Sequence, residues 1–247
     1  MEQVSSLKTG VKYKDTPIGK IPVDWEIVPL SKISEITMGK SPVPYDCNEL
    51  GEGYPFYQDN AEFGVIYPSP RNWCTKPKKI ADKGDILISV RAPVGEINIS
   101  PHKYCIGRGI VALKPKSVHD KFLYQAMLLH GKTLFKMAHG SRFENINSKG
   151  LSDLLFSLPP LFEQKKIAEI LSMIDNAIDR ASEIIEKEKE LQKGLMQSMK
   201  KRQKKIVELM DLMYDLIAIE SDHEKCLEML KKSLSKALLT GKIRVGV

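Results

Sequence analysis

All 14 prolines of this chain lie at or before Pro160, so residues 161–247 lack the residue that most reliably breaks a helix. Thirteen of the 16 glycines also precede that point, and of the 17 aromatic residues only Tyr214 lies beyond Phe162. A chain distributed in this way cannot be one uniform domain. It reads as a turn-rich, aromatic-rich first part and a helical tail, with the boundary at Leu158-Pro159-Pro160-Leu161.

The tail carries its own pattern. Alternating steps of three and four from Ile167 reach Ile170, Ile174, Ala177, Ala181, Ile184, Glu188, Leu191, Leu195 and Ser198, and Leu171, Ile178 and Ile185 widen the stripe. This is the spacing of a coiled coil or helix bundle. Glu188 and Ser198 interrupt it, and the cations Lys200, Lys201, Arg202, Lys204 and Lys205 precede a nearly all-apolar stretch at 206–219. Ser221-Asp222-His223-Glu224 has the form of a capping box, which predicts a turn near Glu220. A second helix would then carry Leu227, Leu230, Leu234 and Ala237 and stop at Gly241. The expected helices are about 162–218 and 222–240.

In the first part, runs rich in β-branched and aromatic residues at 54–57, 64–67, 85–91, 94–100 and 104–113 predict strands, separated by Gly, Pro and Asn signals. Ser117 offers a cap, with an acid three residues on, for a helix over 122–138. Gly107 and Gly109 mark a bulge that would re-aim Arg108. The fold class expected is α+β, a mixed globular domain at 1–158 followed by long antiparallel coiled-coil-like helices at 159–247.

The net charge is +7, and +5 of it belongs to residues 1–162, which hold 21 of the 38 Lys+Arg and 16 of the 31 Asp+Glu. A basic excess of this kind points to a polyanionic partner. Cys47, Cys74, Cys105 and Cys226 are far apart with no CxxC pairing, no signal peptide is evident, and no apolar run reaches 18 residues. A cytoplasmic protein without a membrane span is expected.

Enzymatic signatures fail one by one. Gly39-Lys40 and Gly131-Lys132 lack the earlier glycine of a phosphate-binding loop. His223-Glu224-Lys225-Cys226-Leu227 has leucine where a zinc site of the HExxH type needs its second histidine. Asp85 opens an apolar strand as in some nuclease cores, but Glu96-Ile97-Asn98 follows in place of Glu-x-Lys. Ser157-Leu158-Pro159-Pro160-Leu161 lacks the terminal aromatic with which an amino-methyltransferase stacks a flipped base. His102, His119, His130, His139 and His223 show no ligand spacing. The chain is therefore expected to bind no metal or cofactor and to catalyse nothing.

What remains is a set of side chains suited to DNA. Arg grips guanine, Asn and Gln pair with adenine, and Lys, Ser and Tyr serve phosphates. The candidates are Lys40, Ser41, Tyr57, Gln58, Asn60, Arg91, Arg108, Arg142, Asn145, Asn147 and Lys149, with Arg91 and Arg108 expected on strands. Asn and Gln in loops are equally turn formers, and a coiled-coil scaffold whose globular part binds protein is the competing reading.

Four segments carry a resemblance over nearly the whole chain: Tyr13-Lys14-Asp15-Thr16-Pro17-Ile18-Gly19-Lys20-Ile21-Pro22-Val23-Asp24-Trp25-Glu26; Gly84-Asp85-Ile86-Leu87-Ile88-Ser89-Val90-Arg91; Leu158-Pro159-Pro160-Leu161-Phe162-Glu163-Gln164-Lys165-Lys166-Ile167-Ala168; and Leu238-Leu239-Thr240-Gly241-Lys242-Ile243-Arg244-Val245. The sequence resembles the specificity (S) subunits of type I restriction-modification systems. The resemblance implies a target recognition domain that reads a short half-site, and helices that dock the modification (methyltransferase) subunits. Those subunits would carry S-adenosylmethionine, and the restriction subunit would be engaged indirectly.

A typical member holds two recognition domains, whereas this sequence has one, with a faint repeat at an offset of 39 between 190–199 and 229–238. One reader covers few base pairs, so the double-stranded DNA site is expected to be bipartite. It would be read by a homodimer or with a second specificity fragment, through a face that includes Ile167, Ile170, Ile174, Ile178, Ile184 and Leu191. A helix over 163–198 would span roughly 54 Å at about 1.5 Å per residue, a ruler between half-sites.

Overall fold

The computed structural model describes residues 12–139, 146–198 and 204–245. In chain order the elements are β1 (Tyr13–Thr16), β2 (Gly19–Pro22), β3 (Glu26–Pro29), α1 (Leu30–Ile33), β4 (Ser34–Met38), β5 (Cys47–Asn48), β6 (Tyr54–Tyr57), β7 (Asn72–Cys74), β8 (Ile80–Ala81), β9 (Ile86–Ser89), β10 (Ile97–Ile99), β11 (Tyr104–Ile106), β12 (Ile110–Pro115), α2 (Asp120–His139), α3 (Ser148–Ser152), β13 (Leu155–Leu158), α4 (Leu161–Ser198) and α5 (Lys204–Leu239). They form two compact units. The first runs to Ala168 and takes in the chain again from Leu239; the second is Glu169–Leu238.

Two sheets build the first unit. An antiparallel sheet is ordered β10-β9-β12-β4, and a mixed one β5-β7-β6-β11-β8, in which β11 and β6 are parallel. Leu87, Ile110 and Ala112 of the first meet Tyr57, Ala81, Tyr104 and Ile106 of the second in one buried cluster. All four residues of β9 are buried. Such a strand has both faces covered, which is why Ile86-Leu87-Ile88 reads as a continuous apolar run rather than an alternating one.

Several sequence expectations need correction. Residues 64–67 form no strand, since Gly64 donates to and accepts from the Asn98 side chain and the Ile66 carbonyl accepts from Ile99 N, in place of a ladder. The run at 104–113 is two strands in different sheets, and residues 107–109 are the crossing between them rather than a bulge. Arg91 and Arg108 consequently sit in turns, not on strands. Ser117 adopts φ 54° and does not cap α2. Instead Gln164 Oε1 accepts from the His119 N–H at 2.8 Å while its Nε2 donates to the Pro159 carbonyl at 2.8 Å.

The first turns of α4 belong to the globular unit, past the expected limit at 158, because Glu163, Gln164 and Ile167 are buried there. Arg244 reaches them from the other end of the sequence. Its Nε and Nη2 donate to the two carboxylate oxygens of Glu163, and its Nη1 and Nη2 to those of Asp24 at 2.9 and 2.7 Å. Trp25, fully buried, donates from Nε1 to Glu163 Oε2 at 3.0 Å and lies under the guanidinium. Gly241 is required here, since its φ is +70° and a Cβ would stand 2.4 Å from Pro22 Cδ.

In the second unit α4 and α5 are antiparallel. Ser182 bonds Glu224, and seven residues back along α4 Asp175 pairs with Lys231, seven residues on along α5. The least exposed face of α4 runs through Leu171, Ile174, Ile178, Ala181, Ile185, Glu188 and Gln192, so the seam takes Ile174, Ala181 and Glu188 from the expected stripe and Leu171, Ile178 and Ile185 from its flank. Met213, Ile217, Glu224, Leu227, Lys231 and Leu234 line the facing stripe of α5. No turn occurs near Glu220: α5 is continuous through Ser221-Asp222-His223-Glu224, a solvated polar stretch whose i,i+3 pairs, His223 with Glu220 and Lys225 with Asp222, support helix. Among the described residues α4 ends at Ser198 and α5 begins at Lys204. No described helix is long and apolar enough to cross a membrane.

Candidate nucleic-acid interface

The carboxyl ends of β4, β6, β9 and β11 and the amino end of β12 converge at one end of the two sheets, where three glycines bring the connecting segments into backbone contact. A Cβ on Gly39 would lie 2.1 Å from the Gly107 carbonyl oxygen, one on Gly107 2.8 Å from Gln58 Cα, and one on Gly109 2.7 Å from the Gln58 carbonyl oxygen. Hydrogen bonds follow the same seam. Lys40 N donates to Ile106 O, Gly107 N to Tyr57 O, Gly109 N to Gln58 O, Val90 N to Gly109 O, and Ile146 N to Val90 O, all between 2.7 and 3.2 Å.

This seam fixes the side chains. Lys40, Arg91 and Arg108 are exposed, and none pairs with an acid among the described residues. Ser41 Oγ donates to Gln58 Oε1 at 2.8 Å and accepts from the Arg108 N–H at 3.4 Å, which leaves the Gln58 amide nitrogen as its outward donor. Asn60 opens a single 3-10 turn, Asn60–Glu62, capped by the Asp59 carboxylate, and donates from Nδ2 to Glu96 Oε2 at 2.7 Å. Burial, and secondarily Asp59, pushes the Glu62 carboxyl above its usual range.

Three lysines at the other end of β9 and β12 are paired with acids. Lys114 bonds Asp82 at 2.9 Å, Lys103 lies 3.7 Å from Asp82, and Lys116 is 3.0 Å from Glu35. Asp82 and Glu35 are held below the usual carboxylate range chiefly by those lysine hydrogen bonds. The electrostatic asymmetry is therefore between two ends of one sheet. An approaching polyanion finds Lys40, Arg91 and Arg108 exposed and without a described acid partner where the glycine seam lies.

Not every expected residue is at this surface. Tyr57 has no exposed area, its ring centroid is 4.6 Å from that of Tyr104, and burial raises its phenol pKa. It is a core residue, since strand alternation turns it inward where Gln58 turns out. Asn147 caps α3, its Oδ1 accepting from Gly150 N at 2.7 Å, so its carbonyl is committed to the backbone. Lys149 is exposed in the first turn of the same helix. Arg142 and Asn145 lie outside the described residues. Of the helix positions, Ile167 is fully buried in the first unit and is unavailable to a partner; Ile170, Ile174 and Ile178 are half-buried, and Ile184 and Leu191 are exposed.

One feature escapes sequence reasoning. Glu96 attracts notice only as a failed nuclease motif, yet it holds Asn60 across 36 positions. Tyr45, which the sequence places with Gly39-Lys40-Ser41-Pro42 in a donor-rich, turn-forming segment, is three-quarters exposed with Lys76 Nζ 5.9 Å from its ring centroid. Asp85, the nuclease-like acid, accepts from Asp82 N at 2.8 Å and is buried, a turn-holding role. No cluster of His, Cys, Asp and Glu suited to a metal occurs among the described residues.

Comparison with known proteins gives one family. The model of the type I restriction modification DNA specificity domain matches residues 22–190. The type I restriction enzyme MjaX specificity subunit of Methanocaldococcus jannaschii is 43% identical over 237 residues, which cover 94% of this chain and 47% of the relative. The MjaIX specificity subunit of the same organism is 32% identical over 193 residues, covering 71% and 44%. The crystal structure of the HsdS subunit from Thermoanaerobacter tengcongensis superposes with a TM-score of 0.56 at 29% identity, over 93% of this chain and 48% of that one. The chain thus spans about half the length of the relatives it matches, and it belongs to the type I restriction-modification DNA specificity family.

Proposed function

We propose that this chain is a non-catalytic, cytoplasmic specificity module that reads a short half-site of double-stranded DNA through the glycine-pinned end of its two sheets. The observation that carries the reading is the exposure of Lys40, Arg91 and Arg108, without a described acid partner, beside the buttressed amides of Gln58 and Asn60. Cations of this kind supply sequence-independent affinity, and amides supply the choice of bases. The module directs a modification subunit carrying S-adenosylmethionine, and through it a restriction subunit, to the site.

The target is bipartite, and a second copy or a second specificity fragment reads the other half. Leu209, Leu212, Leu216 and Ile219 support this pairing: they follow steps of three and four along α5 and are between 47% and 64% exposed, an apolar stripe for a further helix. Selection of bound sequences from a random duplex pool, with the modification subunit present, tests the proposal. A split sequence, with affinity falling steeply as salt rises, is the expected result. A palindrome indicates a homodimer and a non-palindrome a second fragment. Salt-insensitive binding with no enriched sequence would overturn the reading and leave the scaffold.

A further inference from the structure

We infer that Glu96 is a positioning residue that sets Asn60 to read adenine at one position of the half-site. The inference deepens the DNA-reading proposal and rests on it. An acid beside the unpaired cations Lys40, Arg91 and Arg108 is unfavourable toward phosphate; of the acids there, Asp59 caps the Asn60–Glu62 turn and Glu62 is part-buried, so it is Glu96 whose presence calls for a role. Glu96 has a definite one, because Asn60 Nδ2 donates to its Oε2 at 2.7 Å.

The chemistry of the pair removes the usual ambiguity of an asparagine amide. An ionised carboxylate can only accept, so the amide nitrogen of Asn60, and not its oxygen, must face Glu96. One N–H of Nδ2 is spent there; the other N–H and the carbonyl Oδ1 remain for a ligand. Adenine presents in the major groove an acceptor, N7, next to a donor, the N6 amino group, which is the complement of that remaining pair. Guanine presents two acceptors and would leave Oδ1 facing an acceptor.

Both partners are held by backbone. Glu96 N donates to Ser89 Oγ at 2.9 Å and Glu96 O accepts from Ser89 N at 2.9 Å, and Ser89 is a fully buried residue of β9. Asn60 O accepts from Phe63 N at 3.0 Å, and Asp59 caps the turn through Ala61 N. The amide plane is therefore oriented from the capped 3-10 turn and from β9 before DNA arrives, which is the condition under which a bidentate contact discriminates.

The test uses the full chain, the half-site found by selection, and a panel of duplexes carrying each of the four bases at each position. Asn60→Ala should abolish the preference for adenine at one position, a loss of about 5- to 150-fold in discrimination. Glu96→Ala should lose most of the preference at that same position while keeping the preferences elsewhere. Its affinity for non-specific DNA should hold or rise, since an acid has been removed. Glu96→Gln, whose side-chain oxygen can still accept from Asn60, should restore the adenine preference; because Glu96 is exposed, unchanged melting temperatures are expected in all three.

Retained discrimination in Glu96→Ala, or a loss at a position different from that of Asn60→Ala, overturns the inference and leaves the DNA-reading proposal standing. A position read as cytosine and lost only with Glu96 would likewise overturn it, by making Glu96 itself the reader. If the unaltered chain shows no preference at any position, the DNA-reading proposal fails first and this inference with it.

Discussion

Arg244 and Glu163, 81 positions apart in sequence, share a bidentate ion pair at 2.6 and 2.8 Å in which the carboxylate is 1% exposed and the guanidinium side chain 12%. Removing one partner of such a pair leaves a buried charge uncompensated. Arg244→Met should therefore destabilise the globular unit by about 3–5 kcal/mol, read from the midpoint of urea unfolding. Adding Glu163→Met should return part of that loss, and a double variant as unstable as the sum of the singles would argue against the pairing as its cause.

The glycine seam predicts a contrast between two substitutions of the same kind. Gly107→Ala places a methyl group 2.6 Å from Gln58 Oε1 and 2.8 Å from its Cα, and should cost about 1–3 kcal/mol while weakening DNA binding. Gly194→Ala, in the exposed interior of α4 with nothing near its Cβ, should instead add up to about 1 kcal/mol. Thermal melting of both variants checks the pair.

Charge placement predicts how salt dependence is partitioned. Lys40→Ala, Arg91→Ala and Arg108→Ala should each lower the slope of log affinity against log salt by about 1. Lys114→Ala, at the neutralised end, should leave it unchanged although it removes the same formal charge. Fluorescence anisotropy at several salt concentrations decides the matter, and equal slopes for all four variants would relocate the interface.

His130 predicts a pH dependence of stability. Burial holds its imidazole below the ordinary 6.5; Nδ1 lies 2.8 Å from the Ala126 carbonyl and the ring 4.3 Å from that of Phe156. Above that value both folded and unfolded forms are neutral, and below it the unfolded chain takes up the proton more readily. Stability should fall as the solution is acidified through pH 6.5, and His130→Phe should flatten that decline in urea unfolding measured from neutral to mildly acidic pH.

Helix length predicts site spacing. Inserting seven residues into both α4 and α5, in step with the Ser182–Glu224 and Asp175–Lys231 contacts, lengthens the pair by about 10 Å. Selected sites should then show a gap wider by about three base pairs with the same half-site bases. A gap unchanged in width would sink the ruler.

The helical tail was legible because three-four spacing survives any local context, but its packed face was legible only in part. Apolar residues cover a wide arc of α4, and the choice of Ile178 and Ile185 over Ile184 and Leu191 is made by α5. The capping pattern at Ser221 misled because a solvated helix surface has the same composition as a helix start. In the globular unit, β9 announced itself through three consecutive isoleucine and leucine residues, whereas β5 and β8 are two residues long and have no period to detect. Lys40, Gln58, Asn60, Arg91 and Arg108 were singled out by their turn-rich neighbours, and Tyr57 was misplaced with them because a one-residue shift decides which face of a strand it occupies. Glu96 was invisible for a different reason: its meaning lies in a contact with residue 60 that only the sheet ends create.

The clasp around Trp25 bears on connectivity. With Arg244 bonded to Asp24 and Tyr13 to the Gly241 carbonyl at 3.2 Å, segments from the two extremes of the described chain are spatial neighbours in one unit. A short peptide bridging them, with new termini cut in the exposed stretch 49–53, should yield a circular permutant with the same sheets. The same adjacency would let two copies be joined in tandem without rebuilding either sheet.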